Sequence, residues 1–377
     1  MGRPSFDVAW STDILVLTDL MHHRRRTRAE LAAEIGISKP TAGESVRRLA
    51  ERGLVADTGE RTPGGRGRGR VGSYYALAEQ VGVALAVSIA PDGVVGERVD
   101  AYGDVVARAD REISRPAGPE QVAAALRETV HEVRGEAAPR IAVVSAADPV
   151  DRATGRLIHL PDSPFLVGEL DPVEILRPQV DGPVVVDNDV NWAARAERDN
   201  ARDAAPPDFA YLYLGEGLGC AVVSDGEIRR GASGLAGEIA HLLTVGPDGR
   251  AVRLIELFGE LGLRQPGSTA IDVQRLLRIA EAGPAATRDA VAAGVAGALA
   301  AIVALADPAL IVVGGPWGTH PRLLAAIRAA AAPLPRQAPI EAAAVVDRPA
   351  LAGARLDAVA RLRDAILHGH AGRSTED

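Results

Sequence analysis

The sequence predicts an α/β protein with a small helical head and a larger body of alternating strands and helices. Three observations indicate this: helix-capping signals follow one another closely from Thr27, a run of arginine and glycine comes after them, and apolar β-like runs alternate with alanine-rich stretches beyond Val81. We assign residues 1–78 to a winged helix-turn-helix and residues 79–377 to the body. The body is expected to form two lobes, roughly 79–190 with the C-terminal helix and 191–350.

The head contains two closely spaced helix starts. Thr27 and Glu30 form a capping-box pattern, in which each side chain satisfies a free backbone N–H of the other residue. Gly36 permits the left-handed turn that ends this helix, Ser38 caps the next one, and Pro40 is tolerated in its first turn. An amphipathic stretch upstream predicts a first helix beneath this pair, with an apolar stripe of Ile14, Leu15, Leu17 and Leu20.

The third predicted helix is a candidate reader of DNA. Its inward stripe is Ala42, Val46 and Leu49, so its other faces are free to meet a major groove. The candidate DNA contacts of this segment are Ser38, Lys39, Thr41, Gly43, Glu44 and Arg47. Glu44 has two interpretations, accepting from a cytosine N4 or pairing with Arg48 one turn on. Gly43 costs about 1 kcal/mol of helix stability relative to alanine, which indicates either a weak helix or close approach to DNA.

The run after the third helix is typical of a wing. Between Arg61 and Arg70 it holds four arginines and no acid, and residues 74–77 follow as a return strand. Glycine lets the backbone lie close to phosphates, while Arg66, Arg68 and Arg70 are expected to enter the minor groove. A solvated linker is the alternative, but the position directly behind a helix-turn-helix favours a wing.

Charge and cysteine content limit the kinds of partner and compartment. Residues 1–80 carry 13 basic and 10 acidic side chains whereas the rest carry 29 and 40, so only the head suits nucleic acid. A single cysteine, Cys220, excludes an internal disulfide framework, and there is no leading apolar segment of signal-peptide type. The apolar run 290–306 is shorter than a membrane span and predicts a buried helix. We therefore expect a cytoplasmic protein without a membrane partner.

The body combines an α/β alternation with polar clusters at strand ends. The predicted strands cover 81–89, 140–145, 183–186, 210–214, 220–223 and 310–313, and the predicted helices include 120–133, 193–198 and 285–305. A polar cluster from Asp187 to Asn191 follows one buried strand, which is where α/β folds place ligands. Further along, a glycine turn covers 215–219 and a Gly-Leu-Ala-Gly-Glu-Ile-Ala-His segment covers 234–241.

These motifs, in this order behind a winged helix-turn-helix, resemble the ROK family (repressors, open reading frames, kinases). The resemblance covers essentially the whole chain, and three further segments support it, at 148–155, 225–231 and 307–315. It implies a two-lobed, actin-like (ribonuclease H-like) body that holds a sugar in the cleft between its lobes.

By position, the resemblance implies four sugar-binding residues. Asn188 and Asp189 match the family's sugar-contacting pair, with Asp189 at the place of the kinases' general base, and Glu238 and His241 match the residues that hold sugar hydroxyls. Carboxylates accept from neighbouring hydroxyls and an amide both donates and accepts, so this set suits a polyol better than an apolar ligand. Three of them also have a structural alternative: Asp189 as a helix cap, Glu238 in a surface turn and His241 as a satisfied core histidine.

The chain departs from the family's kinase members at the nucleotide and zinc sites. Their first hairpin carries an Asp-x-Gly-x-Thr phosphate loop, whereas residues 82–89 here read Gly-Val-Ala-Leu-Ala-Val-Ser-Ile. Glu216 stands where a threonine is usual, and at ~4 Å with an effective dielectric of about 20 each carboxylate–phosphate charge pair costs on the order of 4 kcal/mol. The family's zinc uses the histidine of the glycine-rich segment with three later cysteines, and none follows Cys220. No metal and no cofactor are expected.

The sequence therefore predicts a sequence-specific DNA-binding transcription regulator, a repressor in the first instance, and not an enzyme. Its expected partners are double-stranded operator DNA, a sugar or sugar-derived effector, and copies of itself in a homodimer or homotetramer. Two alternatives stay open: an active ATP-dependent sugar kinase with a DNA-binding head, and a DNA-binding regulator whose cleft is vestigial.

Overall fold

The computed structural model describes residues 5–62, 72–115, 118–160, 165 and 169–368, and its N-terminal part is a small head. The head elements are α1 (Ser5–His23), β1 (Arg25–Thr27), α2 (Arg28–Ile35), α3 (Lys39–Glu51), β2 (Val55–Arg61) and β3 (Ser73–Leu77). Strand β3 lies between β1 and β2 in an antiparallel sheet. This is the order of a winged helix-turn-helix, with the wing between β2 and β3.

The helix starts of the head form as the capping signals predict. Thr27 N donates to Glu30 Oε2 (2.7 Å), and Glu30 N donates to Thr27 Oγ1 (3.2 Å). Gly36 ends α2 in the left-handed conformation with φ 75°. Thr41 N donates to Ser38 Oγ (3.2 Å), which starts α3. Local sequence signals therefore fix the angle between α2 and α3.

The inward stripe of α1 differs from the prediction at two positions, since Ile14 is only half-buried and Leu15 is exposed. Leu15 is 49% exposed, whereas Val16 is buried together with Leu17 and Leu20. The face that meets the rest of the head consists of residues 13, 16, 17 and 20, which is the i, i+3, i+4, i+7 set of one helix face. The helical period places Asp13 and Val16 on this face in place of the predicted Ile14 and Leu15.

The first lobe of the body contains a five-stranded mixed sheet. Its elements are β4 (Ala84–Ala90), β5 (Gly93–Val99), β6 (Val105–Arg111), α4 (Pro119–Val133), β7 (Ile141–Ala146), α5 (Pro172–Leu176) and β8 (Val184–Asn188). The strand order is β6-β5-β4-β7-β8. Strands β4, β5 and β6 are antiparallel neighbours, while β4, β7 and β8 run parallel, so the carboxyl ends of these last three meet at one edge.

The second lobe repeats this plan. The elements that complete the chain are α6 (Asp189–Ala201), β9 (Phe209–Leu214), β10 (Leu218–Ser224), β11 (Glu227–Ile228), β12 (Leu243–Val245), β13 (Ala251–Arg253), α7 (Leu254–Glu260), α8 (Val273–Ala282), α9 (Ala285–Ala306), β14 (Leu310–Gly314), α10 (Pro321–Ala331), β15 (Ile340–Ala342) and α11 (Pro349–His368). The sheet order is β11-β10-β9-β14-β15, antiparallel from β11 to β9 and parallel from β9 to β15. Strands β12 and β13 form a separate hairpin. Helix α11 returns to pack on β4 and β7.

All six predicted strands of the body are present, and their bounds shift where a local turn intervenes. The strand predicted at 81–89 begins only at Ala84, because Glu79–Val81 form a 3-10 turn and Gly82 follows with φ 90°. The helix predicted at 193–198 is longer, since α6 begins at Asp189 directly after its cap, Asn188.

The most apolar helix, α9, belongs to the core of the second lobe. Within the described residues it is the one helix long and apolar enough to span a membrane by length and composition, and half of that apolar window is buried inside the protein. Val291, Val295 and Leu299 are buried among residues of β9 and β14. Leu305, near the end of the helix, is 88% exposed. The packing of α9 is that of the buried helix which its sequence predicts.

Helices α6 and α11 cross between the lobes, and their backbones are in close contact. A Cβ on Gly353 of α11 would lie 1.9 Å from the carbonyl oxygen of Trp192 in α6. The Trp192 side chain is buried, and its Nε1 donates to Val144 O of β7 (3.1 Å). Arg195 of α6 pairs with Asp357 of α11 (2.8 Å). Because α6 also packs on β9 and β10, this crossing joins the two lobes.

The head shares its hydrophobic core with the first lobe and with α11. Leu17 and Val46 of the head belong to one cluster of buried side chains with Ala86 of β4 and Leu362 of α11. The head is therefore packed against the body as well as linked to it by the chain. The division between residues 78 and 79 stays a prediction.

The turn between β5 and β6 adds polar contacts to this junction. Leu77 N donates to Tyr102 Oη (3.0 Å), and Tyr102 Oη donates to Arg24 O (3.2 Å). The Arg24 guanidinium lies over the Tyr102 ring, 5.4 Å from its centroid, and Arg24 Nη2 donates to Asp104 Oδ1 (2.7 Å). This turn consequently contacts both the end of α1 and the end of the wing's return strand.

Candidate DNA-binding surface and interlobe cleft

Helix α3 is held in place by a buried carboxylate on α1. Asp13 is 3% exposed, and it accepts from Ser45 Oγ, from Arg48 Nε (3.2 Å) and from Arg48 Nη2 (2.6 Å). The sequence signal for this contact is an acid within the apolar stripe of α1, which the predicted site did not include. The reading helix is thus oriented by charge-assisted hydrogen bonds in addition to its apolar stripe.

The outward face of α3 presents the predicted contacts to solvent. Exposed residues of this set are Ser38, Lys39, Thr41, Glu44 and Arg47. Arg47 Nε donates to Glu44 Oε2 (3.1 Å), and Arg47 also pairs with Glu51. These ion pairs raise the pKa of Arg47 and lower that of Glu44. Glu44 therefore pairs chiefly with Arg47 and only distantly with Arg48, at 3.8 Å.

Ser38 and Gly43 have distinct local roles in this helix. The Ser38 hydroxyl accepts from Thr41 N and also hydrogen-bonds to Thr41 Oγ1 (2.7 Å), so it is engaged as a helix cap. A Cβ on Gly43 would meet only Arg28 Cδ, at an ordinary contact distance of 3.7 Å. Packing within the protein therefore does not require glycine at position 43, and its part in DNA binding stays a prediction.

Strands β2 and β3 are joined by a closing pair at the base of the wing. Thr62 N donates to Gly72 O (2.9 Å), and Gly72 N donates to Thr62 Oγ1 (2.9 Å). The hairpin is therefore formed up to this pair. The predicted wing contacts lie outside the described residues, namely Arg66, Arg68 and Arg70.

A cavity of about 840 Å³ lies between the two lobes, a size suited to a small-molecule ligand. Its walls include Ser88 from the first lobe and Tyr213 from the second. The structure brings together in this cavity all four residues predicted to bind sugar, Asn188, Asp189, Glu238 and His241. Their assignment to a sugar stays a prediction.

Asn188 is the helix cap at the floor of the cavity. Its Oδ1 accepts from Val190 N (3.0 Å), and its Nδ2 donates to Asp148 O (3.3 Å) and Ala146 O (3.5 Å). The amide therefore fixes the end of β7 to the start of α6. The structural alternative proposed for Asp189, capping α6, falls to Asn188 instead.

Three carboxylates share the cavity and influence one another. Burial raises the pKa of Asp189 to about 7, with Asp148 and Glu238 acting in the same direction. Burial and Asp148 likewise raise the pKa of Glu238 to about 7. Near neutral pH these carboxyls exist in both protonation states, so each can donate or accept a hydrogen bond. A polyol, whose hydroxyls also do both, is the matching ligand chemistry.

Two glycines place the loop that carries Glu238 and His241. Gly234 has φ 102°, and a Cβ there would lie 2.0 Å from Val150 O of the first lobe. Gly237 has φ 96°, and a Cβ there would lie 1.7 Å from Cys220 O of β10. Both positions require glycine. The Gly-x-x-Gly-Glu pattern is therefore a packing requirement that holds Glu238 at the cavity.

A buried ion pair ties the same loop to β8. Arg230 Nη2 lies 2.7 Å from Asp187 Oδ2, and the Asp187 side chain is 6% exposed. Asp187 also accepts from Asn191 Nδ2 (2.9 Å). Burial raises the pKa of Asp187 although Arg230 acts against this shift. Sequence reasoning placed Asp187 in a polar cluster but could not identify a partner so far along the chain.

A second ion pair bridges the lobes beside the cavity. Arg115, which follows β6, donates from Nη1 to Glu216 Oε2 (2.6 Å) in the glycine turn of the second lobe. Arg115 Nε donates to Pro91 O (3.1 Å). Glu216 was treated as an isolated anion in the sequence argument against phosphate, and that argument is weakened because Arg115 neutralises it.

No group of three or more His, Cys, Asp or Glu side chains suited to a metal ion occurs within the described ranges. The expected absence of a zinc site stays a prediction. Cys220 is buried, and burial raises the pKa of its thiol to about 12. A neutral buried thiol is a poor nucleophile and a poor metal ligand.

Family comparisons agree with this geometry. The ROK family model matches residues 89–253, and a winged helix-turn-helix DNA-binding model matches residues 11–56. The chain therefore contains a ROK family domain behind a winged helix-turn-helix. The first match runs from the end of β4 to the end of β13, so it includes cleft residues of both lobes, and the second runs from α1 into β2. The predicted family and fold class are confirmed.

Relatives of this ROK protein include both enzymes and repressors. The bifunctional enzyme NanE/NanK of Brucella suis is 34% identical over 154 residues, which are 39% of this chain and 29% of that enzyme. The xylose repressor of Bacillus subtilis is 20% identical over 232 residues, which are 60% of this chain and 59% of the repressor. These matches span less than two thirds of either relative.

Solved ROK structures share the fold of this chain. A ROK family transcriptional regulator described as a homologue of the Escherichia coli MLC protein has a TM-score of 0.62 at 17% identity, covering 96% of this chain and 98% of its own. A ROK family glucokinase from Streptomyces griseus, in complex with glucose and AMPPNP, has a TM-score of 0.56 at 22% identity, covering 74% of this chain and 99% of its own. At these identities the likeness shows the fold alone.

Proposed function

We propose that this ROK protein is a sequence-specific DNA-binding regulator, a repressor, that senses a sugar or sugar derivative between its lobes. The observation that carries the proposal is the shared core, in which the reading head and the first lobe belong to one buried cluster. The head's exposed α3 face and the match to a DNA-binding family support the DNA partner, and the xylose repressor relatives support repression. A homodimer or homotetramer would present two reading helices to two half-sites.

The proposed coupling runs through α11, which contacts both α6 and the head. A ligand that bridges the lobes favours one closure of the cleft, and closure shifts α6 against α11 at Gly353. Helix α11 contacts the head within the shared core and donates from Arg363 Nε to Ala101 O (2.7 Å), next to Tyr102. A shift of α11 therefore displaces the head, which alters the spacing of paired reading helices and so their affinity for an operator.

The chemistry of the cavity supports a neutral, hydroxyl-rich effector. Asp189 and Glu238 titrate near neutrality and lie with His241 along one cavity, where a buried polar group favours a ligand that completes its hydrogen bonds. An apolar ligand would leave these carboxyls unpaired. The effector is therefore a sugar or a close derivative.

We further propose that the cleft does not turn over ATP. The observation that supports this is the first hairpin, which lacks the kinase phosphate loop. One observation favours the kinase alternative, because a carboxyl with a pKa of about 7 is suited to act as a general base. A coupled assay for ADP formation with a panel of hexoses separates the regulator from the kinase. Turnover that is abolished in Asp189→Asn would establish the kinase.

The primary test is to incubate the purified protein with sheared genomic DNA of its host and to sequence the retained fragments. A palindromic motif upstream of sugar-transport or catabolic genes would support the regulator and would name the sugars to test. Recovery without sequence preference would contradict sequence-specific regulation.

Protein stability and sugar response are expected to depend on pH through Asp189. Its pKa of about 7 in the folded protein exceeds the ordinary value of 3.8, so its stabilising contribution is present at low pH and is lost as pH rises through 7. The ligand-free protein should therefore melt at a lower temperature at pH 8 than at pH 6. A sugar whose hydroxyls donate hydrogen bonds to the ionised carboxylates should raise the melting temperature more at pH 8 than at pH 6.

The matched comparison uses Asp189→Asn, which keeps the shape and removes the titration, and Asp225→Asn, which changes an exposed acid outside the cavity. Melting curves from pH 6 to 8, with and without each sugar, should be flatter for Asp189→Asn alone. No stabilisation by any sugar in the panel, or the same pH response in Asp189→Asn as in the unaltered protein, would favour a vestigial cleft.

A further inference from the structure

Arg28, the first residue of α2, lies where three parts of the head converge. Its guanidinium stacks on Tyr75 of β3, with Cζ 4.9 Å from the ring centroid. A Cβ on Gly43 of α3 would lie 3.7 Å from Arg28 Cδ. At the base of the wing, a Cβ on Gly72 would lie 3.6 Å from Cγ2 of Thr27, the residue before Arg28. Arg28 therefore lies beside the reading helix and against β3, next to a residue at the base of the hairpin.

The partner of Arg28 differs from those of neighbouring arginines. Six other head arginines pair with carboxylates, namely Arg24, Arg25, Arg26, Arg47, Arg48 and Arg61. No Asp or Glu oxygen of the described chain lies within ion-pair distance of the exposed Arg28 side chain, whose partner is the Tyr75 ring. An aromatic face orients a guanidinium and leaves its N–H donors available.

We propose that Arg28 binds a phosphate of the DNA backbone that borders the groove entered by α3. Each groove of a duplex is bordered by a sugar-phosphate strand, so an exposed side chain beside a reading helix is placed to meet that strand. The planar fork of a guanidinium matches two phosphate oxygens. Such a contact positions the head without reading bases.

Gly43 has a part in this arrangement. The stem of Arg28 passes beside Gly43 of α3. Because Gly43 has no side chain, nothing at this position projects between α3 and the Arg28 guanidinium. The backbone of the DNA can therefore approach α3 and Arg28 together. This gives the glycine in the middle of a reading helix a role that helix stability alone does not explain.

The inference rests on the proposed DNA-binding function, and it is tested by the salt dependence of binding. Binding of Arg28→Ala, Arg28→Lys and the unaltered protein to a retained genomic fragment and to an unrelated duplex is measured between 50 and 200 mM salt. Each phosphate contact contributes about 0.9 to the slope of log affinity against log salt. Arg28→Ala should lower the slope by about this amount on both duplexes, and Arg28→Lys should retain the slope with weaker binding, since lysine lacks the fork.

Arg127→Ala, which removes the same charge from α4 of the first lobe, is the matched control and should leave the slope unchanged. Melting curves identify any loss of affinity that comes from an unstable head. An unaltered slope in Arg28→Ala, when the unaltered protein binds DNA, overturns the Arg28 contact alone. Failure of the unaltered protein to bind either duplex overturns the DNA-binding function together with this contact, so the two failures are distinguishable.

Discussion

Replacing Asp13 by alanine is expected to abolish operator binding and to destabilise the protein by about 2–3 kcal/mol. Asp13 is 3% exposed and accepts hydrogen bonds from Ser45 and from two nitrogens of Arg48. Removal of the carboxylate leaves the Ser45 hydroxyl buried without this acceptor and loses the bidentate contact that orients α3. Chemical denaturation measures the free energy of unfolding, and a gel-shift titration measures operator affinity.

The controls for Asp13 separate its contact from its charge. Asp13→Asn keeps the shape and should lose less stability than Asp13→Ala, while Ser45→Ala removes one donor and leaves the bidentate Arg48 contact. Glu34→Ala removes an acid whose side chain is 57% exposed, and it should leave both measurements close to those of the unaltered protein. If Asp13→Ala bound the operator as tightly as Glu34→Ala, the orientation of α3 would not depend on this contact.

Replacing Gly353 by alanine is expected to destabilise the protein by about 1–3 kcal/mol or more. The added Cβ would lie 1.9 Å from Trp192 O and 2.6 Å from Trp192 C, and these are backbone atoms that no side-chain rotation can move. Helices α6 and α11 must separate to admit the methyl group. We expect a lower melting temperature, together with loss of the sugar-dependent change in operator affinity.

Gly43→Ala is the matched control for Gly353→Ala, since it places the same methyl group in a helix where the nearest atom is 3.7 Å away. It should stabilise the ligand-free protein by up to about 1 kcal/mol through helix propensity. The two variants are therefore expected to change stability in opposite directions. A Gly353→Ala protein as stable as the unaltered one would contradict the backbone contact at the helix crossing.

Local signals allowed much of the head to be predicted from the sequence. A capping box between Thr27 and Glu30, or a glycine at the end of α2, depends on residues within one helical turn, so its pattern is visible in a single stretch of chain. Strand positions in the body followed from apolar runs in the same way. The stripe of α1 is the exception, because Ile14 and Leu15 lie off the face that the helical period defines.

Contacts between distant segments could not be predicted. Asp13 meets Arg48, Asp187 meets Arg230, and Arg115 meets Glu216 because the fold brings separate elements together. No spacing rule relates such residues. The four sugar-site candidates were found only because a family resemblance supplied the long-range information. The pKa values near 7 at Asp189 and Glu238 depend on burial, which a sequence does not display.

The continuous core between the head, the first lobe and α11 limits how this protein can be engineered and how its sequence can diverge. A fragment ending at residue 78 would leave the side of the head that now meets α11 facing water, and it would lose the Tyr102 hydroxyl that binds Leu77 N and Arg24 O. A chimaera that joins this head to another ROK body would also need a β5–β6 turn and a last helix that match the head. Operator preference can change at exposed positions of α3, and effector preference within the cavity, while the residues that join head to body must change together.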